Sequence, residues 1–146
     1  MVSFASWMGS MMWVTFIAGI TMARNMPRQT SGKIQAKLFP AYFLLHFCSI
    51  GAMFIIRGCP LRGRSGVALL LSALFTFFNM AILDPKSTDV MMQRHKLEDE
   101  KKTDLEEYKS LGVQFRNYHG GSSFVNLLAL LGAFVYAWDL AIMMPV

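Results

Sequence analysis

The sequence predicts an all-α integral membrane protein, a four-helix transmembrane bundle with a polar helical hairpin between its third and fourth helices. The first observation is composition: of 146 residues, 54% are hydrophobic and 16% are charged, against about 25% charged residues in a typical soluble domain. The second is the placement of the charges, because nearly all of them lie in loops between long apolar runs. The composition excludes a disordered chain and disfavours a soluble domain.

Four apolar runs have the length that a membrane-crossing helix needs, which is roughly 17–25 residues. They cover residues 2–23, 38–56, 67–83 and 124–144. Together they hold a single formal charge, Asp139. None has the polar face that a helix of a soluble bundle would show, and none alternates as a β-barrel strand does. We therefore predict one membrane domain over residues 1–146.

The first run is predicted to be a retained membrane anchor and not a signal peptide. A signal peptide carries basic residues before an apolar stretch of about 7–15 residues. Here no Lys or Arg precedes Arg24, and the apolar run is longer than that.

The basic residues of the loops predict the orientation. The first and third loops, which lie on the same side, hold 4 and 7 Lys or Arg residues (4 + 7 = 11), and the second loop holds 3. The positive-inside rule places the richer side in the cytosol, matrix or stroma. Both termini are then expected on the non-cytosolic or non-matrix side. We expect an organellar membrane, with the mitochondrial inner membrane preferred over a thylakoid or endomembrane.

The long polar loop, residues 87–119, is predicted to form a helical hairpin, with a solvated charged loop as the alternative. Thr103 and Glu106 have the capping-box spacing that starts a helix. Beyond them, apolar and aromatic residues recur at steps of three and four and form one helical stripe. The stripe consists of Tyr108, Leu111, Phe115 and Tyr118. Because the first half of the hairpin offers few apolar residues to cover it, we expect the stripe to contact a partner subunit or the membrane surface.

Glycine and proline predict where helices begin and break. Gly120 and Gly121 are expected to interrupt the chain before the fourth span, which Ser122 or Ser123 can cap. Pro40 falls in the first turn of the second span, where its missing N–H costs no hydrogen bond.

Small residues recur every four positions along two of the spans and predict close helix packing. Such a line of small residues on one helix face, here called a seam, lets helices approach closely in lipid, where no hydrophobic effect drives association. The fourth span carries Ala129, Ala133, Ala137 and Ala141, and the third carries Ala68, Ser72 and Thr76. We expect these seams to pack within the bundle or against a larger partner.

One acid and two amides within the spans are candidates for polar contacts between helices. Asp139 is shallow and follows Trp138, so we expect an interfacial or helix-pairing role, with Arg62 or Arg64 as its partner. Asn79 and Asn126 lie near the inner ends of their spans, where they can hydrogen-bond between helices.

His46 lies eight residues into the second span and is the one candidate cofactor ligand. A buried histidine can ligate haem or chlorophyll, although a hydrogen-bonded packing role is the preferred interpretation. The separation of Cys48 and Cys59 disfavours a disulfide between them. The sequence has no Cys-x-x-Cys pair, glycine-rich phosphate loop or His cluster, so no metal site is expected.

Several local motifs, taken together, resemble the transmembrane protein 205-like family. Their order and spacing cover almost the whole chain. They are Trp7, Gly9, residues 12–16, 27–28 and 35–43, Asn79, Leu83, Pro85, Thr88, Phe115, and residues 118–120, 122–123 and 126–127. The resemblance implies a four-span membrane domain and supplies no catalytic or ligand residues.

The sequence favours a non-catalytic structural or accessory subunit of a larger membrane complex, such as an organellar energy-transducing complex. The alternatives are a small transporter or channel, and a haem- or pigment-binding membrane protein that uses His46. We expect no catalytic residues and no resident cofactor, with membrane lipids bound to the bundle. The expected partners are those lipids and other subunits of a membrane complex, and not nucleic acid.

Overall fold

The computed structural model describes residues 1–56 and 63–143, apart from the side chain of Met143. These residues form four helices, each long and apolar enough to cross a membrane: α1 (Val2–Asn25), α2 (Arg28–Ile56), α3 (Arg64–Asp99) and α4 (Glu106–Met143). The predicted all-helical, four-span class is confirmed. Cys59 and Arg62, which enter the predictions above, lie outside the described residues.

The helices run up and down, so one end of the bundle carries the α1–α2 connection and the α3–α4 turn. We call this the polar end, and the opposite end, which carries Phe4 and Asp139, the terminal end. The most extensive helix pair is α3 with α4, and α1 packs chiefly on α2. Large apolar side chains cover the outer surface, as expected for helices that face lipid.

The core of the bundle lies toward the terminal end. Trp7 and Met11 of α1 are completely buried there, and Phe4 packs against Tyr136 with ring centroids 5.5 Å apart. The buried core residues are Trp7, Met11, Ile50, Met53, Leu69, Ala129, Leu130, Ala133 and Tyr136. All four helices contribute to it, so this half of the bundle is closed by side chains.

Small residues bring α3 and α4 together. The Ser72 hydroxyl donates a hydrogen bond to the Ala129 carbonyl over 3.1 Å. A Cβ added at Gly132 would clash with the Ser72 hydroxyl oxygen and lie 3.0 Å from the Ala68 carbonyl oxygen, so a larger residue would force α3 and α4 to shift. Ala68, Ser72, Thr76, Ala129 and Ala133 are all buried, and Ala137 is half-buried.

The predicted seam of the fourth span ends early, because Ala141 is exposed and does not pack within the described bundle. The four-residue repeat also misses Gly132, where α3 and α4 approach most closely. Gly132 lies one position before Ala133 and faces Ser72. The repeat identifies the correct face of the helix but not its tightest contact.

Three of the helices continue beyond their apolar spans at the polar end. Helix α2 begins at Arg28, ten residues before the predicted span, so only Met26 and Pro27 connect it to α1. The polar loop is a helical hairpin, as predicted, because α3 runs to Asp99 and α4 begins at Glu106. The α4 start is two residues later than a Thr103 cap would place it.

Two predicted helix boundaries are wrong. Helix α4 passes through Gly120 and Gly121 without a break, and Ser123 donates to the His119 carbonyl (2.9 Å) and does not cap a helix. Pro40 lies inside α2 and not in its first turn. In and near a membrane an interrupted backbone would leave polar groups unpaired, so a continuous helix is favoured over a break at glycine or proline.

Candidate functional site: a cleft between the four helices

Two adjoining cavities form a cleft in the half of the bundle nearer the polar end. The central cavity has a volume of about 300 Å³, and the interfacial cavity, closer to the hairpin, has about 350 Å³. All four helices line both of them. The two cavities share four wall residues: Ala23, Gln35, Phe39 and His119. The cleft therefore extends from the middle of the bundle toward the polar end.

A hydrogen-bond chain crosses the wall of the central cavity and joins three helices. The Tyr42 hydroxyl donates to the Asn126 Oδ1 atom (3.0 Å), and the Asn126 amide donates to the Thr15 hydroxyl (2.9 Å). Asn126 therefore hydrogen-bonds between helices, and so does Asn79, whose amide donates to the Ser122 carbonyl (3.0 Å). The Asn79 Oδ1 atom is buried and has no hydrogen-bond partner among the described residues.

Two of the helices that line the central cavity, α1 and α3, contain π-helical turns there. Thr15 lies in the π-helical segment Trp13–Ala18 of α1, and Asn79 begins the segment Asn79–Leu83 of α3. A π-helical turn widens the helix by one residue and is frequent at functional sites. Here the two turns present a polar side chain each to the same cavity, which periodicity in the sequence does not reveal.

The interfacial cavity contains buried polar side chains from α2 and α3. Its wall includes Ser31 (6% exposed), Ser87 (6%), Asp84 (8%) and His95 (3%), together with exposed Arg28 at the rim. Asp84 has no hydrogen bond or ion pair with any residue that the structure describes. In the sequence, Asp84 directly follows the third apolar run, where an acidic residue is typical of a helix end, so no local pattern distinguishes it.

Polar contacts hold the α2 extension against the hairpin below this cavity. The Gln29 amide donates to Glu98 (2.9 Å), which also accepts a hydrogen bond from the Tyr108 hydroxyl (2.6 Å). Arg94 donates to that hydroxyl (2.8 Å) and lies over the ring, 4.5 Å from its centre. A Cβ at Gly32 would lie 2.5 Å from the Met91 sulfur, so the two helices cross closely.

The aromatic stripe of the hairpin packs within the chain. Leu111 is only 6% exposed, Phe115 stacks on His119 with ring centroids 5.3 Å apart, and Lys86 lies over the Tyr118 ring. The first half of the hairpin covers the stripe in part: the side chains of Arg94 and Lys86 lie over the Tyr108 and Tyr118 rings. Tyr108, Phe115 and Tyr118 remain half-buried, so contact of the stripe with a partner subunit or the membrane surface stays a prediction.

His46 lies outside both cavities and is completely buried. Its Nε2 atom is 3.0 Å from the Ser10 hydroxyl, and the Tyr42 ring centre is 3.9 Å from the imidazole centre. A haem or chlorophyll metal would have to displace Ser10 to reach this nitrogen. The Nδ1 atom is buried and has no hydrogen-bond partner among the described residues. The contact with Ser10 supports the packing role, and the ligand hypothesis stays a prediction.

Asp139 lies at the terminal end, away from the cleft. It is 8% exposed, and its Oδ1 atom accepts a hydrogen bond from Arg64 Nε over 3.0 Å. Of the two partners that the sequence suggests, Arg64 makes the contact and Arg62 lies outside the described residues. Across residues 1–56 and 63–143, no group of three His, Cys, Asp or Glu side chains is arranged to hold a metal ion.

Comparison with known proteins supports the membrane assignment. The profile of a domain of unknown function, DUF4149, matches residues 2–96. Transmembrane protein 205 of Danio rerio is 28% identical over 149 aligned positions, which cover 82% of this chain and 78% of the relative. This similarity confirms the resemblance found from the motifs. No solved structure matches the chain significantly.

Proposed function

The chain belongs to the DUF4149 family and has four helices that can cross a membrane, and we propose that it is a non-catalytic protein that holds an amphiphilic lipid in its cleft. The observation that carries the proposal is the pair of adjoining cavities with shared walls. Ligand sites in proteins are typically concave, largely apolar and about 300–1,000 Å³ in volume, with a few polar groups that orient the ligand.

The walls of the cleft change character along its length, which suits a molecule with an apolar and a polar part. Apolar and aromatic residues such as Val14, Ile20 and Phe43 line the central cavity. Arg28, Asp84 and the buried serines line the interfacial cavity. An acyl chain in the first and a headgroup in the second would each meet matching chemistry.

A serine hydroxyl hydrogen-bonded to a histidine is a typical catalytic arrangement, and its position here supports a non-catalytic role. This pair, Ser10 and His46, lies outside the wall of either cavity, and His46 has no exposed surface. A substrate in the cleft would therefore not reach it. The pair is better explained as a polar link between α1 and α2.

A structural or accessory role in a larger membrane complex is the second candidate. It is favoured by the outward face of α1, where Ala5, Ser6 and Gly9 are exposed and a Cβ at Gly9 would meet nothing within 4 Å. A helix of another subunit could approach α1 closely there. The seams of α3 and α4 no longer argue for a partner, because they are used within the bundle.

The transporter or channel alternative has less support. A transport path would have to continue from the central cavity to the terminal end, where Trp7 and Met11 are fully buried in the core. The proposed sidedness, with the polar end in the cytosol or matrix, follows from the loop charges alone. The mitochondrial inner membrane stays a prediction that no feature of the structure tests.

Lipid retention in native mass spectrometry tests the proposed function. We expect the protein, purified in a neutral detergent, to retain one phospholipid per chain. Ala23→Phe places a ring in the wall that the two cavities share and should remove most of this retention. The matched control is Ala41→Phe, on the exposed face of α2 outside both cavities, which should retain lipid normally. Equal retention by the two variants would contradict the proposal.

A further inference from the structure

We propose that the interfacial cavity binds the ammonium headgroup of an amine-bearing phospholipid, with Asp84 as its counter-ion and Arg28 as the ligand of its phosphate. The inference rests on the proposed function, since it names the class of lipid that the cleft would hold.

Asp84 is a buried carboxylate that lacks a partner within the chain. It is 8% exposed, and no residue that the structure describes donates a hydrogen bond to it or forms an ion pair with it. Burying an ionised carboxylate is costly unless it is paired and hydrogen-bonded. Because Asp84 lies in the wall of a cavity, a bound cation could supply the missing partner.

The remainder of the wall suits an ammonium group better than a bare metal ion. The rings of Phe39 and Phe115 line the same cavity, and aromatic faces attract organic cations. The Ser87 hydroxyl lies on the buried side as a hydrogen-bond acceptor, and the Ser31 hydroxyl in the same wall already accepts one hydrogen bond from the Gln35 amide (3.2 Å). In contrast, no cluster of three metal-ligating side chains exists among the described residues.

Arg28 gives the cavity a cation at its rim. It is exposed and forms no ion pair with any described residue. A guanidinium binds phosphate through paired hydrogen bonds. A zwitterionic headgroup would therefore place one charge against Asp84 and the other against Arg28. An anionic phospholipid without an amine would leave Asp84 unpaired beside a second negative charge.

The test compares two lipids with identical chains, dioctanoyl phosphatidylethanolamine and dioctanoyl phosphatidylglycerol, by titration in native mass spectrometry. We expect the wild-type protein to bind the ethanolamine lipid at least about tenfold more tightly, the factor expected for a hydrogen bond to a charged group. Asp84→Asn should abolish this preference. Asp89→Asn, an exposed acid on the same helix, is the matched control and should keep it.

A third probe, dodecylamine, has an ammonium group but no phosphate, so it tests the ammonium contact separately from the phosphate contact. Arg28→Gln should weaken binding of the ethanolamine lipid several-fold and leave dodecylamine binding unchanged. If Arg28→Gln leaves the binding of both the ethanolamine lipid and dodecylamine unchanged, the phosphate part of the proposal is overturned. The folding of Asp84→Asn can be checked by thermal unfolding without lipid, where removal of an unpaired charge should leave the midpoint unchanged or raise it.

The possible failures are distinguishable. Equal binding of both phospholipids by the wild-type protein, or a preference that persists in Asp84→Asn, would overturn the headgroup proposal while the cleft remains a lipid site. Binding of none of the three probes would overturn the proposed function itself.

Discussion

Arg64, the first residue of α3, donates a hydrogen bond to Asp139 in the last turns of α4, with 3.0 Å between Nε and Oδ1. This ion pair joins the two helices at the terminal end, while Arg94 and Tyr108 join them at the polar end. Polar contacts therefore join α3 and α4, the longest helix pair of the bundle, at both ends. Between the two ends, small residues allow the helices to pack closely.

Replacing Arg64 should destabilise the terminal end. Arg64→Gln leaves the buried Asp139 carboxylate without its cation, and we expect a small decrease in the free energy of unfolding, since Arg64 itself is exposed and solvent screens the pair. Chemical denaturation in detergent measures this. A double-mutant cycle with Asp139→Asn provides the control, because an additive result would mean that the two side chains do not interact.

Replacing a small residue of the α4 seam by a larger one should disrupt the α3–α4 contact. Ala133 is completely buried, so Ala133→Leu forces overpacking and should cost about 1–3 kcal/mol. Ala141→Leu makes the same change at an exposed position of the same helix and should be close to neutral. Similar thermal midpoints for the two variants would show that the seam is not a tight contact.

Removing one hydroxyl should break the chain of hydrogen bonds in the central cavity. Tyr42→Phe takes away the donor to the half-buried Asn126 amide oxygen, and we expect a loss of about 1 kcal/mol in the free energy of unfolding. Tyr118→Phe is the matched control, since the Tyr118 hydroxyl has no hydrogen bond to a described residue. The prediction fails if both variants unfold at the wild-type temperature.

The two roles considered for His46 predict different results for His46→Ala. The packing role predicts lower thermal stability, because the change empties a fully buried site and removes the contact with Ser10. The haem role predicts that a Soret absorption band of the natively purified protein disappears in the variant. The visible spectrum and the thermal midpoint, measured on the same samples, decide between the two roles.

Cysteine labelling tests the proposed sidedness. In a variant with Cys48 and Cys59 replaced by Ser, we introduce Val2→Cys or Lys101→Cys and treat sealed vesicles with a membrane-impermeant maleimide. We expect the two positions to react from opposite sides, with Lys101→Cys on the side of the basic loops. Reaction of both positions from one side would contradict the topology.

The sequence was sufficient for the features that depend on composition and helical period. Four apolar runs predict four spans, and each run lies within one helix as far as the structure describes it. The three- and four-residue spacing of Tyr108, Leu111 and Phe115 predicts a helix in the hairpin, and α4 includes all three. These features follow from local geometry and the cost of placing polar groups in lipid, which act within a single segment.

Local rules failed where the membrane environment or a neighbouring helix overrides them. Gly120 and Gly121 are helix breakers in water, but a broken backbone near lipid costs more than two glycines in a helix. Gly132 is the closest contact to α3, yet nothing in its own sequence context marks it. Its importance depends on Ser72, which lies sixty residues earlier in the chain.

By itself, the sequence determined the helical class, the number of spans and the polar hairpin, because these depend on each segment's own hydropathy and period. The tertiary structure decided that Thr15, Tyr42 and Asn126 form one chain of hydrogen bonds, and that Asp84 lines a cavity without a partner. Such sites combine residues from helices that are distant in the chain. Their chemistry exists only once the helices pack, since packing sets which polar groups are paired and which face an open space.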